Sequence, residues 1–112
     1  VARKLMIEEK RPWMGVEALL IDGAIAESFN LPQTAGLLVQ SVAEGSLGER
    51  LGLREGAVPI TIGDRSFLAG GDTILEMLGL RVRPDTSTLL EIQAELDRLK
   101  PGDSVRVKVL RR

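Results

Sequence analysis

The apolar residues of this chain come in short runs separated by glycine, proline and acidic residues, and this spacing limits the possible folds. The longest uninterrupted hydrophobic run covers only residues 18–21, whereas a helix needs ~20 apolar residues to span a bilayer. With 112 residues, the chain has the length of one domain with one core. It begins with Val1 rather than Met and shows no signal peptide, so we expect a piece of a longer protein.

The final apolar stretch has the clearest periodicity of the chain. Val105, Val107 and Val109 alternate with Arg106 and Lys108. This pattern is typical of a strand that has one face on the core and the other in water. A sheet with one wet face is largely antiparallel. Three further strands are predicted over residues 16–21, 36–42 and 72–78.

Helix signals fill the intervals between these strands. Residues 24–31 suit a short helix, with Asp22 as its N-cap. Ser46 lies three residues before Glu49, which is the spacing of a capping box. That spacing predicts a second short helix, which we expect to end at Gly52.

The longest predicted helix covers residues 89–99. Thr88 lies three residues before Glu91, again the spacing of a capping box. The apolar residues recur at nearly helical spacing and form a stripe that we assign mostly to the core. The stripe consists of Leu89, Ile92, Leu96 and Leu99. We expect Ile92 and Leu99 to face the core.

The segment over residues 56–71 has a pattern of its own. Two short strand-like runs, residues 59–62 and 66–68, flank Gly63-Asp64. We predict a small hairpin with a three-residue turn. Its apolar side chains would form an exposed patch, to which Ile60, Phe67 and Leu68 belong.

The composition excludes several kinds of site. The chain has no His and no Cys, which removes Ser-His-Asp and Cys-His relays, disulfides and ordinary zinc, haem and iron–sulfur centres. Aromatic residues make up 3% of the chain and the net charge is -1, so we expect no nucleic-acid partner. We also expect no cofactor, no metal and no direct membrane insertion. Arg11, Arg111 and Arg112 are assigned to solvated ends.

Four motifs in a fixed order carry a resemblance to a known family. They lie at residues 13–16, 42–53, 71–75 and 99–103. In turn they are Trp-Met-Gly-Val, a Ser-capped short helix, a Gly-Asp strand start and a Lys-Pro-Gly-Asp turn before an alternating strand. Together they resemble the PDZ domain that follows the catalytic domain in bacterial HtrA-type (trypsin-like) serine proteases. The resemblance covers residues 12–110.

The sequence departs from the family pattern at two places that matter for the fold. Leu78-Gly79 replaces the usual Asn-Gly, so we expect a looser turn there or one that a buried Leu78 supports. Residues 56–71 are an insertion between the short helix and the next strand. Such an insertion occurs in a branch of the same protease family.

The resemblance implies an α+β fold. We expect a PDZ-like, partly open antiparallel β-barrel or sandwich of five to six strands, capped by two helices. The inserted β-hairpin would lie at residues 56–71. The PDZ domain would cover residues 12–112, with residues 1–11 as a linker or edge strand from an upstream domain.

The resemblance also implies how a ligand would bind. An extended peptide would add as a strand to the edge over residues 16–20, with the long helix as the other wall. The N–H groups of Met14, Gly15 and Val16 would bind the terminal carboxylate, and an apolar pocket would favour an apolar C-terminal residue. The predicted peptide-binding residues are Trp13, Met14, Gly15, Val16, Glu17, Ala18, Leu89, Gln93 and Leu96.

Other interpretations of these residues remain open at this point. Trp13 could instead cover an open end of the barrel, and Gly15 could serve only a turn. A domain without a peptide ligand could pack against its own protease domain or a neighbouring subunit. A standalone enzyme would have to act without His or Cys, and no paired carboxylates support hydrolysis.

The favoured interpretation is a peptide-binding module that captures apolar C-terminal or unfolded polypeptide segments by strand addition. It would regulate an attached HtrA-type serine protease or supply it with substrate, and would not itself be an enzyme. Its partners would be such segments and its own protease domain. The resemblance further implies a location outside the cytoplasm, in the periplasm or cell envelope.

Overall fold

The computed structural model describes residues 15–85, 87–100 and 103–111. These residues form an α+β structure, which confirms the predicted class. In chain order the elements are β1 (Val16–Asp22), α1 (Gly23–Ser28), β2 (Ala35–Val42), α2 (Leu47–Arg50), β3 (Val58–Ile62), β4 (Arg65–Ala69), β5 (Thr73–Met77), β6 (Leu80–Arg81), α3 (Ser87–Asp97) and β7 (Val107–Leu110).

The strands form two sheets. In the five-stranded sheet the order is β1-β2-β5-β6, and β7 pairs with β5. β3 and β4 form a separate two-stranded sheet, the predicted hairpin. The pairs β3–β4, β5–β6 and β5–β7 are antiparallel, as the alternating final strand predicted.

The chain divides into two compact units. The first unit contains the described residues 15–19, 38–72 and 111. The second unit contains residues 20–37 and the described part of 73–110. Both β1 and β2 therefore contribute residues to each unit.

The second unit is built around β5, where Thr73, Ile74, Leu75 and Met77 are all buried. The amide of Gln33 links the neighbouring segments, because its Nε2 donates to the carbonyl oxygens of Ala35 (2.8 Å) and Leu75 (2.9 Å). The remaining core side chains of this unit are Ile21, Ala26, Ala35, Leu37, Val82 and Ile92. The predicted core position of Ile92 is thereby confirmed.

The turn between β5 and β6 is tight. Met77 pairs with Leu80, which leaves Leu78 and Gly79 as a two-residue loop. Both have positive φ, +55° at Leu78 and +81° at Gly79, which is the arrangement of a type I′ turn. The expectation of a looser turn is therefore wrong. Leu78 is half-buried and adopts the left-handed region, which is unfavourable for a side chain with a Cβ.

The hairpin of the first unit also has a two-residue turn. Ile62 pairs with Arg65 around Gly63-Asp64, so the prediction of a three-residue turn is wrong. Gly63 has φ +64° and Asp64 does not share a positive φ. A glycine with positive φ at the first central position is typical of a type II′ turn, whose twist matches that of the flanking strands.

The expected exposed patch on this hairpin is not formed by the predicted residues. Phe67 is buried at 7% exposure, and Ile60 and Leu68 are half-buried. The exposed large apolar side chains of the hairpin are instead Val58 and Ile62, both on β3.

The hairpin is held to β2 by a side-chain amide. Gln40 Nε2 donates to the Leu68 carbonyl and the Leu68 N–H donates to Gln40 Oε1, each at 2.9 Å. Both main-chain groups of Leu68 therefore point away from β3. Pro59 lies opposite Leu68, so this pair exchanges no hydrogen bonds between β3 and β4. The main-chain groups of Pro59 therefore point to the outer edge of β3, and Pro59 has no N–H to present there.

The capping box at α2 is confirmed, with one change. The Glu49 N–H donates to Ser46 Oγ at 3.2 Å. The returning bond goes one residue further back than expected, since the Gly45 N–H donates to Glu49 Oε1 at 2.8 Å. The helix ends at Arg50, just before Gly52.

The predicted N-cap position is confirmed for α1 without its side-chain bond, and the cap predicted for α3 is wrong. Asp22 occupies the N-cap position of α1, but its side chain makes no capping hydrogen bond. α3 begins at Ser87, so Thr88 lies inside its first turn. There Thr88 is buried, and its Oγ1 accepts from Arg83 Nε at 3.2 Å.

Candidate functional site

The described part of the first predicted motif begins at Gly15, because Trp13 and Met14 lie outside the described residues. Gly15 has φ +72°. A Cβ added there would overlap Ser46 Cβ, closer than any real contact allows. Its carbonyl accepts from the Ala43 N–H at 2.8 Å. Only glycine therefore satisfies both the backbone conformation and the space at this position.

β1 follows Gly15 directly. Val16 is buried, and Glu17 and Ala18 are half-buried. β1 stands at the end of the strand order, where its neighbour is β2. Among the described residues no strand pairs with the second edge of β1. A strand edge of this kind presents main-chain N–H and C=O groups that can pair with an added strand.

Glu17 takes part in a hydrogen bond within the first unit. Ser41 Oγ on β2 donates to Glu17 Oε1 at 3.0 Å, and the bond is partly shielded from solvent. This contact orients the carboxylate of Glu17 toward β2.

α3 carries the remaining predicted residues in the second unit. Leu89, Gln93 and Leu96 are all half-buried, and their i, i+4, i+7 spacing places them on one side of the helix. Ile92 is fully buried, whereas Leu90 is 69% exposed. The three predicted residues therefore lie on the border between the core side and the solvent side of α3.

Gln93 differs from its neighbours because its amide is only partly satisfied. Its Nε2 donates to Asp97 Oδ1 at 2.8 Å. Its Oε1 is buried and has no hydrogen-bond partner in the described part of the chain. A ligand contact at Gln93 was expected from the sequence, but the unpaired acceptor was not.

The structure thus groups the predicted residues into two sets. Gly15, Val16, Glu17 and Ala18 are consecutive in the first unit, and Leu89, Gln93 and Leu96 share a side of α3 in the second. The peptide-binding role of both sets stays a prediction.

An ion pair that the sequence did not reveal organises the first unit. Asp72 is 1% exposed, and its carboxylate accepts two bonds from Arg111, from Nε to Oδ1 at 2.8 Å and from Nη2 to Oδ2 at 2.7 Å. The Arg54 N–H donates to Oδ2 at 2.9 Å, and Arg111 Nη2 also donates to the Gly52 carbonyl. Arg111 is exposed, as expected for a solvated end, but its ion pair with Asp72 was not predicted.

These contacts shift the pKa of the Asp72 carboxyl. Burial raises this pKa, but the hydrogen bonds from Arg111 and from the Arg54 N–H, together with the positive charges of both side chains, outweigh it. The pKa consequently lies below its ordinary value of 3.8. The sequence held one signal for the pair: an acidic residue directly before a buried strand needs a nearby cation.

Neither a metal site nor a spanning helix is found in the part of the chain that the structure describes. Residues 15–85, 87–100 and 103–111 contain no group of three or more metal-ligating side chains placed to hold an ion. None of the helices in those ranges is long and apolar enough to cross a membrane.

Comparison with known proteins gives a consistent group of relatives, although no family model matches the chain. The chain is 30% identical over 103 residues to a protein of Hahella chejuensis named probable periplasmic serine endoprotease DegP-like. Proteins of the same name from Ectopseudomonas mendocina and Pseudomonas fulva are 28% identical over 99 residues and 33% identical over 85 residues.

The chain resembles one segment of DegP-like serine endoproteases. The aligned residues cover 92%, 88% and 76% of the chain, in the same order of relatives. They cover only 18%, 19% and 17% of the DegP-like proteins themselves. The chain therefore spans less than a fifth of the length of the curated relatives that it matches.

Proposed function

We propose that this chain is a PDZ-type module of a DegP-like serine endoprotease, and that it binds apolar C-terminal or unfolded segments of other polypeptides. The observation that carries this proposal is the start of β1, where a strand at the end of the sheet order follows a glycine that no other residue can replace. The similarity of most of the chain to one segment of DegP-like proteins supports it.

Strand addition is the proposed mechanism. The peptide pairs with the second edge of β1, and main-chain hydrogen bonds supply most of the affinity. In this proposal the N–H groups of Met14, Gly15 and Val16 would bind the terminal carboxylate, and the positive φ of Gly15 supports a sharp backbone turn before β1. No charged side chain is required for this contact, in keeping with a chain that lacks His and has a net charge of -1.

The side-chain contacts are proposed from both predicted sets. Trp13, Glu17 and Ala18 would flank the peptide on the β1 side. Leu89, Gln93 and Leu96 would contact its side chains from α3. Burying one apolar terminal side chain contributes about 1.5–3 kcal/mol. After the ordering cost of the peptide, we expect affinities in the micromolar range, about -8 kcal/mol at best.

We propose that the chain itself does not catalyse peptide hydrolysis. It contains no His, so it cannot supply a Ser-His-Asp relay. Each matched relative is also more than five times as long as the segment that aligns with this chain. Proteolysis would belong to another part of the parent protein. The names of the relatives support a periplasmic location for that parent.

Fluorescence anisotropy with labelled peptides tests the proposal. Peptides that end in Val or Leu with a free carboxylate should bind, and the same peptides with a C-terminal amide should bind at least tenfold more weakly. Peptides that end in Asp or Lys should also bind weakly. Equal or absent binding of all these peptides would refute peptide capture by this chain.

Two glycine substitutions provide a matched comparison. Gly15→Ala and Gly45→Ala both place a Cβ at a positive φ, +72° and +77°, but an added Cβ meets Ser46 only at Gly15 and open space at Gly45. We expect Gly15→Ala to weaken peptide binding at least tenfold and Gly45→Ala to change it less than twofold. Circular dichroism establishes that both variants are folded before binding is compared.

A second candidate function is packing against another protein surface without a peptide ligand. The exposed apolar residues of β3 favour it, with Val58 at 55% and Ile62 at 37% exposure. If this function holds, amide chemical shifts near Val58 should depend on protein concentration and should not respond to peptide. Shifts confined to residues 15–20 and 89–96 on adding an apolar peptide would favour peptide capture instead.

A further inference from the structure

Three strands of the second unit place charged side chains side by side on one face of the sheet. Glu76 on β5 pairs with Arg81 on β6 and with Lys108 on β7. Both pairings together place β5 between β6 and β7. Residues that pair directly point to the same face of a sheet. For these three residues it is the solvent face, since the neighbour of Glu76, Met77, is fully buried.

Arg106 extends this charged face along β7. The Leu78 N–H donates to the Arg106 carbonyl at 2.9 Å, so the pairing of β5 with β7 continues to the turn after β5. Arg106 precedes Lys108 by two residues and therefore lies on the same face. Arg81, Arg106 and Lys108 are all exposed. We call these three residues the basic patch.

The basic patch has more positive charge than its surroundings neutralise. Glu76 lies between its cations, and Glu76 Oε2 is 3.9 Å from Lys108 Nζ, an ion pair without a hydrogen bond. Arg81 and Arg106 form no ion pair with any residue in the ranges that the structure describes. Three cations against one carboxylate leave this face positive, although the net charge of the chain is -1.

Other exposed arginines of the same unit are neutralised by a neighbour. Arg83 Nη2 lies 2.9 Å from Glu91 Oε1, and Arg98 Nη1 lies 2.9 Å from Glu95 Oε2. The lack of a partner at the basic patch is therefore not a general property of the arginines in this unit. A surface region of one sign attracts and orients a partner of the opposite sign.

We propose that the basic patch is a second binding site of this chain, and that it binds an acidic, extended segment of another polypeptide. Arginine and lysine bind carboxylates through charge-assisted hydrogen bonds. Arg81 and Lys108 are two strand spacings apart, about 9.6 Å, and carboxylates three residues apart in an extended segment are separated by about 10 Å. The inference does not rest on the proposed capture of apolar C-termini, which uses other residues.

An anionic membrane fits the basic patch less well than an acidic segment does. Recognition of anionic lipids usually takes clusters of about four to eight basic residues. The basic patch has three, and Glu76 lies among them. A pair of carboxylates needs only two or three cations at matching distances, so the observed charges suit a short acidic segment.

The probe is an acidic peptide that cannot use the proposed site for a terminal carboxylate, because its N-terminus is acetylated and its C-terminus is an amide. It carries Glu at every third residue, with Ser and Gly between, and the reference peptide has Gln in place of each Glu. By fluorescence anisotropy at low salt we expect the Glu peptide to bind at least tenfold more tightly. In about 0.5 M NaCl this ratio should fall towards unity, since exposed charges are screened.

Substitutions of opposite sign provide the sharper test. Arg81→Gln and Lys108→Gln each remove a cation and should weaken binding of the Glu peptide about two- to fivefold, the size of one exposed ion pair. Glu76→Gln removes the competing carboxylate and should tighten binding by a similar factor. Arg98→Gln is the matched control, because Arg98 is exposed but pairs with Glu95, and it should leave binding unchanged.

Three results would overturn the proposal. The first is equal binding of the Glu and Gln peptides to the unaltered protein, and the second is an effect of Arg98→Gln as large as that of Arg81→Gln. The third is co-sedimentation with vesicles of equal parts phosphatidylglycerol and phosphatidylcholine without binding of the Glu peptide, which would assign the basic patch to a membrane. Should a variant fail to fold, amide chemical shifts of the unaltered protein decide, because the Glu peptide must shift residues 76–82 and 106–108 and leave residues 16–22 unchanged.

Discussion

Asp72 and Gln40 both hold main-chain groups of the first unit with a side chain, but Asp72 uses a charge and Gln40 a neutral amide. Asp72 accepts from the Arg54 N–H and from the guanidinium of Arg111. Gln40 pairs with both the N–H and the C=O of Leu68. We call these the charged anchor (Asp72 with Arg111) and the amide anchor (Gln40).

The difference between the two anchors lies in what each needs from the rest of the chain. An amide has both donors and an acceptor, so Gln40 satisfies Leu68 with no third residue. A buried carboxylate only accepts, and it is stable only beside a cation. The charged anchor therefore ties together three distant segments, whereas the amide anchor ties together two, and only the charged anchor should respond to pH.

The largest expected effect comes from removing the cation of the charged anchor. Arg111→Ala leaves the Asp72 carboxylate buried with the Arg54 N–H as its remaining partner, and we expect a larger loss of unfolding free energy than at any other position compared here. Urea denaturation measures this loss. Arg98→Ala, which removes an exposed pair with Glu95, is the control and should cost less than about 1 kcal/mol. Equal effects of the two substitutions would contradict the distinction between anchored and exposed arginines.

A smaller loss is expected at the amide anchor. Gln40→Leu removes two hydrogen bonds to Leu68 and leaves its N–H and C=O unpaired, which should cost about 2 kcal/mol. Hydrogen exchange at the Leu68 amide should accelerate together with the amides of the hairpin. Gln40→Glu keeps the acceptor for the N–H but places a carboxylate without a cation against the Leu68 carbonyl, so it should cost at least as much as Gln40→Leu. Unchanged exchange in Gln40→Leu would mean that the hairpin is held by its apolar contacts alone.

The pH dependence separates the anchors directly. The pKa of Asp72 is lower in the folded protein than its ordinary value of 3.8, so its stabilisation is fully present above that value and is lost as the pH falls through the folded pKa. Urea titrations at pH 7 and pH 3 should show a loss in the unaltered protein and in Gln40→Leu. In Asp72→Asn the unfolding free energy should fall less between pH 7 and pH 3, because this carboxyl no longer contributes. If it falls as much as in the unaltered protein, other groups cause the acid sensitivity.

The smallest change in unfolding free energy is expected at the strained turn between β5 and β6. This turn belongs to neither anchor and therefore serves as a reference. Leu78 has φ +55°, a conformation that Asn tolerates better than Leu. Relief of the backbone strain in Leu78→Asn should raise the unfolding free energy by about 1 kcal/mol. The loss of packing by the half-buried leucine reduces this gain. The gain should add to the effects of Arg111→Ala and Gln40→Leu, since distant sites are independent. A loss of stability would show that leucine packing outweighs the backbone strain.

The features that sequence analysis predicted correctly depend on residues close together in the chain. The Ser46–Glu49 cap, the hairpin after Gly56 and the alternation of Val107 with Lys108 are all set by spacings of a few residues. Local spacing can also mislead. Thr88 has the spacing of an N-cap residue, but α3 begins one residue earlier, at Ser87, so Thr88 lies inside the helix.

The features that were missed require contacts between distant residues. Arg111 meets Asp72 across 39 positions and Gln40 meets Leu68 across 28, and no periodicity encodes either pairing. The burial of Phe67 likewise depends on tertiary packing. Within the candidate site, Gly15 and β1 have the predicted local form. The unpaired oxygen of Gln93 could not be predicted, because the sequence does not show whether a donor lies near a given glutamine oxygen.

The outer edge of β3 has a consequence for how copies of this chain can pair with one another. Pro59 lacks the N–H that an added strand would need there. The edge of β3 is therefore blunted at this position. An open edge on a two-stranded hairpin can pair with the same edge of another copy and so link molecules into a chain. Pro59 interrupts such pairing along β3 and thereby lowers the tendency of the hairpin to self-associate.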